Sequence, residues 1–439
     1  MIVIIGAGIS GLTLAYELQK QGKAYTLLEA RDRAGGYIQT SYHQKTILEH
    51  GPGSILADPE TVAYLEELGL KAELVYPESA GKVRYIFKNG KVRQMPDSPK
   101  SFFKSNFFSW GTKAALVGEL LNRKQPRNNE ETVGEFFERR FNKEIVDYAV
   151  APFVSGIYAG DPYRLLINKT FPFLKKFETE HGSIIKGIMK SGKKGKKVAK
   201  VPLYFKSGMA SLPVTIADKL DNIKYNAKVK GIQKRDNRFQ VEYILNETSQ
   251  TVSADKIVLA LPAFAASTFL FESYPSVAED LNKINYPAIV KVFHTFKKSD
   301  IGVPINGYGV LYPKVENKPL LGTLWNSSVY PVSSSSDEVL MTSIAGGVLD
   351  PRVINESDEE IMDKVLALIK ETYQIKGGPV VSKVLRLEKA IPQYDKEMNK
   401  IDQLVKELEG EDMFVCANWH GGPSLTDCMR KAVVLAKQL

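Results

Sequence analysis

The first thirty residues leave few folds open. Ile2-Val3-Ile4-Ile5 is an unbroken apolar, β-branched run, the pattern of a strand covered on both faces. It runs straight into Gly6-Ala7-Gly8-Ile9-Ser10-Gly11. Leu12, Ala15, Tyr16 and Leu18 then recur at helical spacing as far as Gly22, a natural stop. Ala24 to Leu28 reads as a second strand, ending at Glu29. Strand, G-x-G-x-x-G turn, helix, strand and an acid about twenty residues on form a dinucleotide fingerprint. Gly6 permits the tight turn, Gly8 admits a pyrophosphate to the backbone N–H groups, and Gly11 lets helix and strand pack closely. The helix N-terminus adds partial positive charge, and Glu29 can accept from ribose hydroxyls. The prediction is an α/β, Rossmann-like unit; the spacing leaves NAD and FAD both open.

A chain of 439 residues has room for two or three domains. Its net charge of +9 is localised, because eight lysines and no acid lie between Glu180 and Asp218. The centre of that run is Gly192-Lys193-Lys194-Gly195-Lys196-Lys197. It reads as a solvated loop or, in the sharper reading, as a basic patch over 186–200 facing an anionic membrane or an acidic substrate. No nucleic-acid module accompanies it, so nucleic acid is not expected as a partner. Two cysteines, Cys416 and Cys428, make no disulfide framework and have no partners at metal-ligand spacing. A reducing compartment and no metal site are expected. The fingerprint begins at residue 2, so no signal or transit peptide is expected. The apolar stretch Ile257 to Phe271 is too short for a membrane span and is broken by Pro262.

Glu49 to Ser54 is turn-rich, and Lys82 to Met95 reads as a hairpin turning at Asn89-Gly90. From about Pro96 to Val201, amphipathic helices replace strand patterns. Phe102, Phe103, Phe107, Phe108 and Trp110 crowd its start among Lys100, Lys104 and Lys113, which suits either an interfacial surface or inward packing. Pro152 to Pro162 reads as a turn-dense passage between helices. Strands are expected at Ile223 to Ile232, Phe239 to Ile244 and Asp255 to Leu261, and across Val290 to Ile344. Met413 to Ala417 should be a buried strand, followed by a helix from Leu425 to Gln438. The layout is interleaved, with a nucleotide domain built from both chain ends and a middle piece.

The continuation E-A-R-D-R-A-G-G-Y, with Ala30, Arg31, Gly35, Gly36 and Tyr37, resembles the flavin amine oxidase superfamily. That likeness selects FAD. P-F-V-S-G-I-Y-A-G-D-P at Pro152 to Pro162 strongly resembles a signature of oxygen-dependent protoporphyrinogen oxidases and the related coproporphyrinogen III oxidases. The likeness spans nearly the whole chain and is greatest to the plant mitochondrial type. R-Y-I-F-K-N-G at Arg84, S-N-F-F-S at Ser105, S-G-M-A-S-L at Ser207, G-Y-G-V-L at Gly307 and L-G-T-L at Leu321 carry it. The implied fold is a discontinuous FAD-binding domain (1–76, 205–262 and 408–439). An α+β substrate domain (77–95 and 263–407) and a helical, membrane-associating domain (96–204) are inserted into it.

The resemblance also implies sites. The cofactor would be held by Gly6, Ala7, Gly8, Ile9, Ser10 and Gly11, with Glu29 at the ribose, and by Ala30, Arg31, Gly35, Gly36 and Tyr37. The loop Gly51-Pro52-Gly53-Ser54, Val229 at the adenine, and Gly422, Ser424 and Leu425 at the flavin complete it. The substrate would meet Arg84 as a propionate anchor, Leu311 and Leu324 as a sandwich, and Gly156 through its carbonyl. Ile344 stands where the plant enzymes carry a ring-stacking phenylalanine, and His420 where they carry an arginine. No catalytic side chain is assigned, because flavin N5 takes the hydride. The implied reaction oxidises protoporphyrinogen IX to protoporphyrin IX with dioxygen, releasing hydrogen peroxide, in haem biosynthesis. Coproporphyrinogen III oxidation by the same mechanism, another oxidase of the superfamily, and an FAD-containing tetrapyrrole carrier without turnover are the alternatives. A cytoplasmic protein peripheral to the cytoplasmic membrane, with a homodimer and ferrochelatase as possible associations, completes the expectation.

Overall fold

The computed structural model describes residues 1–121, 130–193 and 200–439. Strand β1 (Ile2–Ile5) lies at the centre of a five-stranded parallel sheet. Its order is Ile223–Lys224, β2 (Tyr25–Leu28), β1, Lys256–Leu259 and Met413–Val415. All four β1 residues are buried, which is why that run carries no polar residue. Helix α1 (Ile9–Lys20) follows β1, and the final helix, Leu425–Gln438, packs on α1 through a core of Leu12, Leu14, Cys428 and Ala432.

The second sheet has seven strands. They are β3 (Tyr85–Lys88), β4 (Lys91–Gln94), β5 (Ile289–Lys297), β6 (Gly309–Leu311), β7 (Gly322–Trp325), β8 (Glu338–Gly346) and β9 (Val381–Leu387). Their order is β9-β5-β8-β7-β6-β3-β4. Asn89 and Gly90, at φ +53° and +71°, make the β3–β4 turn as the dipeptide predicts. One face, with Val292, Phe296 and Met341, packs on the helix Asp358–Tyr373. The other face turns toward the nucleotide sheet.

Helices dominate the described residues of 99–121 and 130–193. Their interior holds an ion network of three acids and three bases. Arg139 reaches Glu131 at 2.6 Å and Glu178 at 2.7 Å, Arg140 reaches Glu178 at 2.9 Å, and Lys175 reaches Glu131 at 2.8 Å. Arg140 also lies 3.7 Å from Glu119, whose carboxylate accepts from Ser183 Oγ and Ile184 N.

Three expectations need correction. Pro152 to Pro162 is not turn throughout, because α2 (Ala151–Tyr158) occupies its first part. A π-helical turn at Val146–Val150 leads into Pro152, so the missing N–H falls where the hydrogen-bond ladder is already irregular. The turn proper begins at Ala159, with φ +49°. Ile223 to Ile232 is two strands, not one: Asn226, at φ +54°, separates Ile223–Lys224 in the parallel sheet from Ala227–Arg235 in an antiparallel one. The lysine run is not a loop at its start, since Ile184–Lys193 is helical; Lys194, Lys196 and Lys197 lie outside the described residues. The aromatic cluster divides. Phe107 and Phe108 are buried, whereas Phe103 is exposed and Trp110 is 79% exposed.

Arg140→Ala removes the guanidinium that lies between Glu119 and Glu178 in the helical interior and leaves the three acids facing only Arg139 and Lys175, so it should cost about 3–5 kcal/mol. Chemical denaturation of the variant beside the parent measures it.

Candidate functional site

The glycine turn is closed by contact. A Cβ on Gly11 would sit 2.0 Å from Gly6 O, and one on Gly6, at φ +105°, 2.7 Å from Ala260 O. No side chain caps the start of α1, so its leading N–H groups remain for a ligand. Glu29 is 8% exposed, and its carboxylate accepts from Ala7 N at 2.7 Å and Arg31 N at 2.9 Å. Its acid therefore sits at the turn, as a ribose acceptor must.

The neighbouring predicted residues converge there. Gly35 N donates to Ala7 O at 2.8 Å, and a Cβ on Gly36 would stand 3.3 Å from Gly8 Cα. Arg31 Nη1 and Arg33 Nη2 both donate to Gly36 O at 3.2 Å. Ala227 N bonds Glu29 O and Asn226 N bonds Arg31 O, which lays the strand of Val229 beside this turn. That strand bulges between Val229 and Gly231. Tyr37 donates to Lys389 O at 2.6 Å, and Gly51 passes so near Tyr37 that a Cβ would reach 2.1 Å from its carbonyl oxygen. Ser424 caps the last helix by accepting from Asp427 N, and Gly422 precedes it at φ +106°.

The predicted substrate residues share a sheet face. Cross-strand register places Ile86, Leu311, Gly322, Ile344, Lys291 and Leu385 in one row, and Gly309, Leu324, Thr342 and Phe293 in the next row on the same face. Arg84, two residues before Ile86, alternates onto that face. Its guanidinium lies over the Tyr308 ring at 5.5 Å, and Tyr308 Oη is 3.4 Å from Ser54 Oγ. Gly156 comes from α2 on the facing side, where a Cβ would meet Leu311 Cδ2 at 3.2 Å.

Lys291 was missed by sequence reasoning. It stands across from Ile344 and donates its ammonium to Glu49 O and Gly51 O. It thereby pins the Gly51–Ser54 loop onto the sheet face that carries Leu311, Leu324 and Ile344. Burial lowers its pKa to about 8, against the opposing pull of Glu49. Glu49 is itself held upward by burial, although Tyr204, Thr40 and Met209 N all donate to its carboxylate. A lysine inside a β-branched strand was the available signal, but strand lysines are ordinarily solvated. Tyr394 was missed as well; it donates to Asn418 O at 2.7 Å and accepts from Gly422 N at 3.0 Å. His420 is half-buried, with Nε2 3.5 Å from Asp402. Burial lowers its pKa while Asp402 opposes that.

A dinucleotide with a flat ring system fits these residues. The glycine cradle excludes side chains, α1 presents uncapped N–H groups, Glu29 waits at the turn, and the Gly51–Ser54 loop and Gly422 continue the path. Among the described residues no group of three His, Cys, Asp or Glu could hold a metal ion.

The family model for flavin-containing amine oxidoreductases matches residues 9–436. A protoporphyrinogen oxidase of Arabidopsis thaliana is 30% identical over 460 residues, covering 97% of this chain and 90% of its own. A coproporphyrinogen III oxidase of Bacillus subtilis is 27% identical and covers 90% and 87%. The crystal structure of an Exiguobacterium protein assigned as a protoporphyrinogen oxidase superposes with a TM-score of 0.83 at 21% identity, over 100% of this chain and 98% of that one.

The lysine makes a pH prediction. Unfolded Lys291 titrates near 10.5 and folded Lys291 near 8, so the unfolded chain holds more protons between these values and this contribution to stability rises with pH. Relative to Lys291→Met, the parent should gain about 2 kcal/mol between about pH 7 and about pH 9.5. Denaturant midpoints of both proteins at the two pH values check the sign.

Proposed function

The chain belongs to the flavin-containing amine oxidoreductase family, and we propose that it is the FAD-dependent oxidase of a porphyrinogen, protoporphyrinogen IX in the first reading. The supporting observation is a single sheet face that carries Arg84, Leu311, Leu324 and Ile344 and is tied by Lys291 to the loop Gly51–Ser54. A reduced tetrapyrrole is a broad apolar ring with carboxylate arms, and this face offers aliphatic side chains with one exposed guanidinium at the edge. The named functions of the two relatives, protoporphyrinogen and coproporphyrinogen III oxidation, agree with that chemistry. Bound FAD supplies the hydride acceptor and, with dioxygen as final acceptor, peroxide as by-product.

The chain's own residues bind and orient. Arg84, steadied on Tyr308, is suited to pair bidentately with a propionate and so set the ring's rotation. Leu311 and Leu324, in adjacent rows of that face, are the aliphatic pair that would sandwich the ring. Gly156 lies against Leu311, where a Cβ would stand 3.2 Å from Leu311 Cδ2, and its carbonyl is the group to meet the pyrrole N–H groups. Ile344 gives a flat aromatic's place to a smaller aliphatic group, which loosens the fit beside Lys291. Gly6 to Gly11, Glu29, Ala30, Arg31, Gly35, Gly36, Tyr37, Val229, Gly51 to Ser54, Gly422, Ser424 and Leu425 form the cofactor path. The division into a discontinuous FAD domain, a substrate domain and a helical domain at the boundaries given above is part of the same proposal.

Membrane association belongs to it too. No helix among the described residues is long and apolar enough to cross a membrane. The helical region nevertheless exposes a run of rings. Phe153 and Phe173, both more than half exposed, touch Phe171 at 6.0 and 6.5 Å, and Phe173 touches Phe177 at 6.0 Å. Ile157 and Met189 are exposed as well, and Lys186 and Lys190 flank Met189 on its helix. Apolar rings beside cations suit the interface of an anionic bilayer. A protein working there would be peripheral to the cytoplasmic membrane, where a homodimer and a ferrochelatase taking up the product are the associations to look for.

Purified holoprotein should convert protoporphyrinogen IX to porphyrin faster than air oxidation does, with stoichiometric peroxide. A parallel assay on coproporphyrinogen III decides between the two substrates. Arg84→Ala should raise KM about 10-fold with FAD retained, the loss of a charge-assisted hydrogen bond worth about 1.5 kcal/mol; an unchanged KM removes the propionate role. Cosedimentation with anionic vesicles should be strong at low salt and fall as salt rises, and Phe153→Ser with Phe173→Ser should weaken it.

A further inference from the structure

Between β9 and the helix Met398–Gly410 runs a short irregular strap, Lys389 to Tyr394. Pro392, Gln393 and Tyr394 are buried, which is unusual for backbone outside helices and sheets. Its polar groups are spent on four separate parts of the chain. Lys389 O accepts from Tyr37 in the nucleotide unit. Ala390 N and Gln393 N donate to Pro287 O and Asn285 O, at the entry to the seven-stranded sheet. Gln393 Nε2 donates to Tyr158 O at 2.8 Å, and Tyr394 O accepts from Leu166 N at 2.9 Å, both in the helical region. The Tyr394 hydroxyl donates to Asn418 O and accepts from Gly422 N.

Tyr158 is the last residue of α2, two residues after Gly156. Its ring meets the Tyr394 ring edge-on at 6.1 Å. The substrate-side helix and the loop Asn418–Gly422 are therefore joined through two adjacent residues. The tyrosine is 3% exposed and burial holds its phenol protonated, so the hydroxyl keeps a proton to donate to Asn418. Nothing else in the strap reaches Gly422 N: Lys431 bonds carbonyls of the same loop, at Ala417, His420 and Gly422, but leaves that amide to Tyr394.

We propose that Tyr394 is a positioning residue for the reaction: its hydroxyl sets the Asn418–Gly422 loop against the flavin, and Gln393 ties that setting to the place of α2. This rests on the cofactor path and substrate face proposed above. Removing the hydroxyl leaves Asn418 O and Gly422 N without it, while the ring still packs on Tyr158. Loosening Gln393 frees the end of α2 and leaves the loop contacts in place. The two substitutions therefore act on adjacent residues of the strap but release different partners, the end of α2 and the Asn418–Gly422 loop.

The test compares purified holoproteins of the parent, Tyr394→Phe and Gln393→Leu. Tyr394→Phe should retain FAD, shift the flavin absorption bands and reduction potential with no substrate present, and lower kcat about 5- to 30-fold, with KM within twofold. Gln393→Leu should leave the resting flavin spectrum as in the parent and raise KM for the porphyrinogen about 5-fold. A Tyr394→Phe protein with parental flavin spectrum, potential and kcat overturns the proposal, whatever its thermal stability. If Tyr394→Phe does not accumulate as holoprotein, Gln393→Leu decides: an unchanged KM overturns it. Failure of the parent to oxidise either porphyrinogen refutes the activity reading instead. The spectral and potential comparison needs no substrate and still judges the loop role.

Discussion

No side chain fits between the end of the first strand and the helix that follows it. At Gly11 a single methyl carbon would stand 2.0 Å from the carbonyl oxygen of Gly6, and at Gly6 another would press on Ala260. That forced proximity brings the uncapped start of α1 to the carboxyl end of the central strand of the parallel sheet. It also fixes the surface on which later segments are laid. Gly35 and Gly36 fold back on Ala7 and Gly8, and Tyr37 and Gly51 stack on those in turn. A larger residue at the first contact would part strand from helix and displace each layer above it.

The second sheet meets this surface through a buried lysine. An ammonium out of water is costly unless its hydrogens are engaged. Here the carbonyls of Glu49 and Gly51 engage it, with the Glu49 carboxylate close enough to oppose its loss of charge. The lysine sits in register with Ile344, so the bond holds the Gly51–Ser54 loop and the aliphatic face to one fixed geometry. Specific placement of that loop is bought with a group that titrates near neutrality.

The helical region solves a different problem. Its interior sets three acids, Glu119, Glu131 and Glu178, against three bases, Arg139, Arg140 and Lys175. Its outside keeps rings and lysines. Phe107, Phe108 and Phe136 fill the interior around the ion pairs, so the exposed rings are additional to a formed core. The strap through Gln393 and Tyr394 then joins this region to both sheets.

Much of the architecture was legible because it is encoded over a few neighbouring residues. The β1 run, the glycine turn, Asn89-Gly90 and the periodic last helix each specify their own backbone, and the structure forms all of them. The conjunction of Arg84, Leu311, Leu324 and Ile344 on one face was reachable only through the family resemblance; no local pattern pairs residues up to 260 positions apart. Pro152 to Tyr158 misled because proline and glycine signal a turn, yet the π-helical turn before them and packing behind them made a helix. Phe107 and Trp110 share a composition, but one is covered and the other is not, since only the folded neighbours decide. Tyr394 carries no signal at all and Lys291 only that of a charge in an apolar strand, because their meaning lies in carbonyls and amides brought to them from elsewhere. Sequence alone settled the nucleotide-binding unit, through local sterics and periodicity. Tertiary structure alone decided which polar groups hold its loops to the second sheet, because those partners become neighbours only once the chain has closed.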